Sequence, residues 1–171
     1  MNTITLLRHA DTISRESFRL SHKDKSDIFR PLSKMGKIQS QNIARFAKRH
    51  LQFDLLISSP AKRTKQTLKP IKKVFKNTRS LLSEDITPDC GLEGYLKLLR
   101  SSSLEQAKHI LIVGHQPDLE SFAQYLCPHL DSAFPKGVLM RFIAQDENIQ
   151  NLAGHCTIDF IIPPYLLEGK N

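Results

Sequence analysis

Arg8 and His9 close a run of apolar and β-branched residues, Thr3-Ile4-Thr5-Leu6-Leu7, and a second run, His109-Ile110-Leu111-Ile112-Val113, closes on Gly114 and His115. Strands of this composition are buried, and in an α/β sheet ligands bind in the crevice above the carboxyl ends of the strands. Polar side chains at those ends are therefore candidates for chemistry. Taken singly, His9 reads as an ordinary loop histidine and Arg8 as a surface charge; the repetition at a second strand changes that reading. Arg63 joins them from the first turn of the helix that follows Ser58-Ser59-Pro60. A guanidinium offers a planar fork that matches pairs of phosphate oxygens. An imidazole can donate to an oxyanion or, when neutral, attack phosphorus. Arg8, His9, Arg63 and His115 together describe a site for a tetrahedral anion.

The elements that must position these groups follow from periodicity. Residues 14 to 30 have no steady period and read as a loop with one helical turn. Ser33 is an N-cap, and Met35, Ile38, Ile43, Phe46, Ala47 and Leu51 form the apolar stripe of a helix ending near His50. Residues 53–58 read as a buried strand handing over to a helix with Pro60 near its first turn. That helix turns Leu68, Ile71, Val74 and Phe75 inward, and Pro70 predicts a kink or an early stop near Lys69. A short strand is expected at 79–83, a loop at 84–90, and a helix over 92–99 with Leu92, Tyr95, Leu96 and Leu99 on one face. After the strand at 109–113, Gln116-Pro117-Asp118 opens a helix with Leu119, Phe122, Ala123 and Leu126 inward. Strands at 138–144 and 152–162, joined by a polar turn at 145–151, complete the chain. This order implies a three-layer α/β/α sandwich with a mostly parallel central sheet and an antiparallel C-terminal edge.

The chain has 171 residues with 40% hydrophobic content, enough for one sizeable core, so one domain over residues 1–171 is expected. No apolar run approaches the roughly 20 residues that span a bilayer. The first ten residues lack the pattern of a signal peptide. Cys90, Cys127 and Cys156 are odd in number and widely spaced, which fits neither a disulfide framework nor a zinc ribbon. A cytoplasmic location is the expectation, with no membrane partner. The formal net charge of +8 favours an anionic partner, and Lys62, Arg63, Lys65, Lys69, Lys72, Lys73 and Lys76 form a local basic run without an acid. A solvated helix face accounts for such a run equally well.

Three segments carry a resemblance to a known family. Arg8-His9-Ala10 resembles the R-H-G motif of the histidine phosphatase superfamily, also called phosphoglycerate-mutase-like; Ser59-Pro60-Ala61-Lys62-Arg63-Thr64-Lys65-Gln66-Thr67 resembles its S-x-x-x-R-x-x-Q-T stretch; and Gly114-His115 resembles its late G-H motif. Arg30-Pro31-Leu32-Ser33 with Gly36, and Ile86-Thr87-Pro88 ahead of Gly91, are most similar to the short SixA branch of phosphohistidine phosphatases. The resemblance implies a phosphatase acting through a covalent intermediate on His9, with Arg8, Arg63 and His115 as catalytic, phosphate-binding groups. It implies no cofactor and no metal. The substrate would be phosphohistidine or another phosphorylated protein residue, such as one on a phosphotransfer domain, with phosphate or another oxyanion occupying the pocket.

Two positions depart from the family or weaken its pattern. Ala10 stands where glycine is usual, which asks the backbone to avoid positive φ. Larger members use an acid to protonate the leaving group; Glu84 is the candidate proton donor, with Asp85 and Asp11 as alternatives. A phosphohistidine leaving group can itself carry the proton, which lessens the need for one. Short chain length leaves little room for lid insertions, so an open pocket suited to a protein side chain is expected.

Three other readings compete. A di-metal phosphoesterase would use His9, Asp11, His115 and Asp118, but the arginines would repel the cations. A non-catalytic phosphate or nucleic-acid binder would use the run 62–76, which nucleic acid disfavours because no aromatic interleaves it before Phe75. A small-molecule phosphomonoesterase is the third.

Overall fold

The computed structural model describes residues 2–104, 106–145 and 152–167. Six strands form one sheet: β1 (Asn2–Arg8), β2 (Leu55–Ser58), β3 (Arg79–Leu82), β4 (His109–Gly114), β5 (Leu139–Ala144) and β6 (Cys156–Ile162). Their order across the sheet is β3-β2-β4-β1-β5-β6. β3, β2, β4 and β1 run parallel, while β5 and β6 add an antiparallel edge. Five helices connect them: α1 (Arg15–Ser21), α2 (Lys34–His50), α3 (Lys62–Val74), α4 (Gly91–Leu99) and α5 (Asp118–Leu126).

Strand alternation divides the core into two layers. Ile110 and Ile112 of β4 pack with Tyr95, Leu99, Phe122 and Leu126 of α4 and α5. Leu111 and Val113 pack on the other face with Ile43, Ala47, Leu68 and Ile71 of α2 and α3. Both faces of the central strands are covered, as a parallel sheet requires. Each such apolar side chain taken from water contributes about 1.5–3 kcal/mol before the entropy of ordering it.

Several sequence expectations change. The segment 14–30 holds the two-turn helix α1, capped by Ser14 Oγ accepting from Ser17 N at 3.0 Å. Phe18 is its single buried residue, so no apolar stripe announces it. Met35 and Ile38, both 51% exposed, lie outside the core. They sit in the first two turns of α2, before Ile43 and Ala47 bring the helix onto the sheet. Val74 is exposed at the last turn of α3. α3 does not stop at Lys69 but continues through Pro70 to Val74, because Leu68 and Ile71 on either side of the proline are both held against the sheet. β6 begins at Cys156 rather than 152, since Gly154 turns the chain at φ 69° and His155 N donates to Leu152 O at 3.1 Å. Apart from Gln145, the turn at 145–151 lies outside the described residues.

Candidate active site

The two central strands set the site. β1 and β4 are neighbours in a register that pairs Arg8 with Gly114, so His9 and His115 leave the sheet side by side. His9 N donates to Gly114 O at 3.2 Å, and the two imidazole centroids are 5.4 Å apart. Gly114 is required by a close approach: a Cβ there would stand 2.1 Å from Tyr95 Oη. Gly36 has a similar role beneath the loop after β1, where a Cβ would lie 1.9 Å from Asp11 O. Ala10, where glycine is usual in the family, is fully buried, and its N donates to Thr67 Oγ1 at 3.1 Å. Among the described residues Asp89 is the only non-glycine with positive φ, so the methyl group of Ala10 meets no left-handed backbone.

All four residues singled out from the sequence line one cleft of about 700 Å³. His9, Arg63 and His115 are 5%, 4% and 2% exposed, so their positions are fixed by packing. The geometry selects the tautomer of His9. Its Nδ1 lies 2.9 Å from Ala10 O. A carbonyl can only accept, so Nδ1 carries the proton and Nε2 keeps its lone pair. Burial lowers the His9 pKa to about 3; the bond to Ala10 O opposes this, and the charges of Arg63, Arg8 and Lys136 add to it. Burial likewise lowers His115 to about 2, helped by Arg63, His9 and Arg8. Both rings are neutral at ordinary pH, and Nε2 of His9 is a nucleophile without any base to deprotonate it.

His115 Nε2 is 2.9 Å from Ser59 Oγ, which also accepts from Ala61 N at 3.3 Å. The hydroxyl proton can then go to Nε2, leaving Nδ1–H of His115 as a donor. Buried Nε atoms of Arg8 and Arg63 and Nδ1 of His115 have no partner among the described residues. Buried donors without a partner cost about 1–3 kcal/mol each.

The guanidiniums are held from behind. Arg8 donates to Phe134 O. Arg63 NH1 donates to Asp27 O at 3.0 Å and to its carboxylate at 3.3 Å. Asp27 also takes Arg30 Nε at 2.8 Å, and Arg30 reaches Thr12 Oγ1 at 2.6 Å. These hydrogen bonds and charges hold the Asp27 carboxyl below its usual range against the opposing effect of burial.

Asp27, Arg30, Arg15, Arg19 and Lys136 line the cleft without having been singled out as site residues. Arg30 stood in the Arg30-Pro31-Leu32-Ser33 segment and could have been read there. Lys136 lies in an irregular stretch before β5 and carries no periodic signal.

Other candidates lie elsewhere. Glu84 opens a 3-10 turn over Glu84–Ile86, is exposed, and is not among the residues lining the cleft. Asp85 pairs with Lys97. Asp11 accepts from Ser33 Oγ at 2.6 Å and Lys136 Nζ at 2.9 Å. Asp118 accepts from Asp89 N at 2.9 Å and Gly91 N at 3.1 Å, holding the turn that starts α4. Among the described residues no three His, Cys, Asp or Glu side chains converge as metal ligands.

The family model of the histidine phosphatase superfamily (branch 1) matches residues 4–86, which contain Arg8, His9 and Arg63. Over this segment, just under half of the chain, the sequence is similar to that superfamily. His115 lies beyond the match, and the fold carries the likeness further. A SixA from Agrobacterium tumefaciens, provisionally assigned as a phosphohistidine phosphatase, is 22% identical with a TM-score of 0.77, over 95% of this chain and 98% of its own. The protein histidine phosphatase SixA complexed with tungstate is 21% identical with a TM-score of 0.76, over 97% and 99%. The phosphoserine phosphatase of Entamoeba histolytica, in complex with 3-phosphoglyceric acid, is 17% identical with a TM-score of 0.63, over 94% and 96%. No curated protein matches the chain in sequence. The fold of these structures thus spans nearly the whole chain, and no helix among the described residues is long and apolar enough to cross a membrane.

Proposed function

We propose that this protein is a metal-independent phosphatase that removes the phosphoryl group from phosphohistidine, or another phosphorylated protein residue, through a covalent intermediate on His9. The observation that carries this reading is the fixed tautomer of His9, whose Nδ1–H is given to Ala10 O while Nε2 remains free in a cleft lined by Arg8, Arg63 and His115. In the first step Nε2 attacks phosphorus, its N–P bond forms, and the bond from phosphorus to the substrate's ring nitrogen breaks. The departing imidazole takes its proton from water in the cleft or already carries it. In the second step water attacks the phosphoryl group on His9, the N–P bond breaks, the water's proton returns to solvent, and inorganic phosphate leaves. Throughout, charge builds on the phosphoryl oxygens, and donors already fixed by burial stabilise it without reorganising. A phosphohistidine substrate needs no carboxylic acid in the enzyme. The likeness to SixA structures supports the same substrate class, and a cytoplasmic location is part of the proposal.

A second reading rests on the cleft's size and rim. About 700 Å³ lies in the range of small-molecule sites, and Arg15, Arg19 and Lys136 beyond the phosphoryl pocket suit a small phosphate ester with a further anionic group. A panel of phosphohistidine proteins and small phosphate esters, assayed in excess chelator, separates the two. Preference for phosphohistidine protein by tenfold or more in kcat/KM is expected; preference for a small ester selects the second reading, and loss of all turnover in chelator overturns metal independence.

A further inference from the structure

The basic run on α3 is arranged, not scattered. Lys62, Lys65, Lys69 and Lys72 are spaced i, i+3, i+7 and i+10, which puts them along one face of the helix over about 15 Å. Helix stability does not call for this. Lysines in the last turn complement the helix dipole, but Lys62 and Arg63 stand in the first turn, at its positive end, with no acid there to offset them. None of the four lysines has an ion-pair partner among the described residues. From Leu55 through Ser83 the chain contains no Asp or Glu.

Beside this row lies a groove of about 470 Å³ between α3 and β3. Leu68, Leu81 and Leu82 line it together with Lys65, Lys69 and Lys72. Leu82 is 57% exposed although it ends a strand, and β3 is the outermost strand on its side of the sheet. The groove is distinct from the catalytic cleft, sharing no lining residue with it.

We infer that the α3–β3 groove docks an extended acidic segment of a partner protein, its leucine-type side chains on Leu68, Leu81 and Leu82 and its carboxylates on the lysine row. Charge complementarity names the sign of the partner, and the apolar floor names its class. A nucleic acid would need aromatic platforms for its bases, and the groove's lining contains none. A flat lipid surface cannot follow a concave groove. The row begins at Lys62, next to Arg63, so a docked segment would lead toward the catalytic cleft.

The test measures binding alone and so does not depend on the phosphatase reading. Fluorescence anisotropy of the full chain is followed with a labelled peptide of alternating Leu and Asp, an equally charged oligoglutamate, an oligouridylate, and phosphatidylserine vesicles. The expected result is saturable binding of the Leu-Asp peptide, about tenfold tighter than oligoglutamate, weakened by salt. It should fall about tenfold or more in K65E/K69E/K72E and, separately, in L82D. Retention of the wild-type cooperative urea-unfolding transition by each variant shows that it has folded. Equal or tighter binding of oligouridylate or vesicles, equal binding of oligoglutamate, or no peptide binding overturns the inference.

Discussion

Arg63 and Lys65 stand two residues apart on α3, carry the same charge, and live in opposite environments. Arg63 is buried, bonded to both the backbone and the carboxylate of Asp27, and lines the cleft with His9. Lys65 is exposed, unpaired among the described residues, and borders a leucine-floored groove. A buried, pre-positioned cation can stabilise charge that appears only in a transition state, because nothing has to move when that charge develops. An exposed cation in water gains little from any one contact and works by adding to a field. One helix thus supplies the reaction with a fixed donor and the surface with an attractive one.

The largest effects should come from the buried cluster. Replacing His9 with Ala should reduce turnover by at least about 10⁴-fold while the cooperative unfolding transition is retained; substantial residual activity would break the comparison at its centre. Next is Arg63→Ala, expected to lower kcat by roughly 10²–10³-fold. Arg63→Lys should recover little of that, because an ammonium cannot form the fork that a phosphoryl group and Asp27 share. Steady-state kinetics on a phosphohistidine protein measures both.

The buried histidines also make stability depend on pH. His9 and His115 have folded pKa values of about 3 and about 2, below the unfolded value of about 6.5. Above 6.5 both states are neutral and the contribution is complete; as pH falls the unfolded chain takes up protons first, so stability is lost from pH 6.5 downward. At pH 5 the loss is about 2 kcal/mol per histidine, about 4 kcal/mol for the two. Urea unfolding at pH 7 and pH 5 checks this, and unchanged stability would mean that the rings are not held neutral. The smallest effect belongs to the exposed carboxylate: Glu84→Gln should leave phosphohistidine turnover within about twofold of the native rate, and a larger loss in kcat would give Glu84 a role in proton delivery.

How far the sequence reveals this arrangement depends on what enforces each part. Ser33 and His50 bound α2 as read, because an N-cap and an apolar stripe act locally. The two histidines were readable because each ends a run that the core must bury. α1 was read as a single helical turn within a loop, because one buried phenylalanine leaves no periodic trace of its full length. Pro70 did not end α3, because packing of Leu68 and Ile71 outweighs one lost helical hydrogen bond. The acceptor for His9 is Ala10's own carbonyl, a backbone atom that every residue carries, so no side-chain pattern could name it. The Asp27–Arg63 pairing depends on a loop that returns from 36 residues away, and no spacing rule anticipates that.

The central claim is that Nε2 of His9 takes the phosphoryl group. Rapid-quench reaction with a labelled phosphohistidine protein, followed by mapping of the labelled residue, tests it directly. The account predicts an acid-labile, alkali-stable phosphate on His9 that forms before inorganic phosphate and is absent from His9→Ala. Label on another residue, or turnover with no phosphoenzyme at any time, would contradict it.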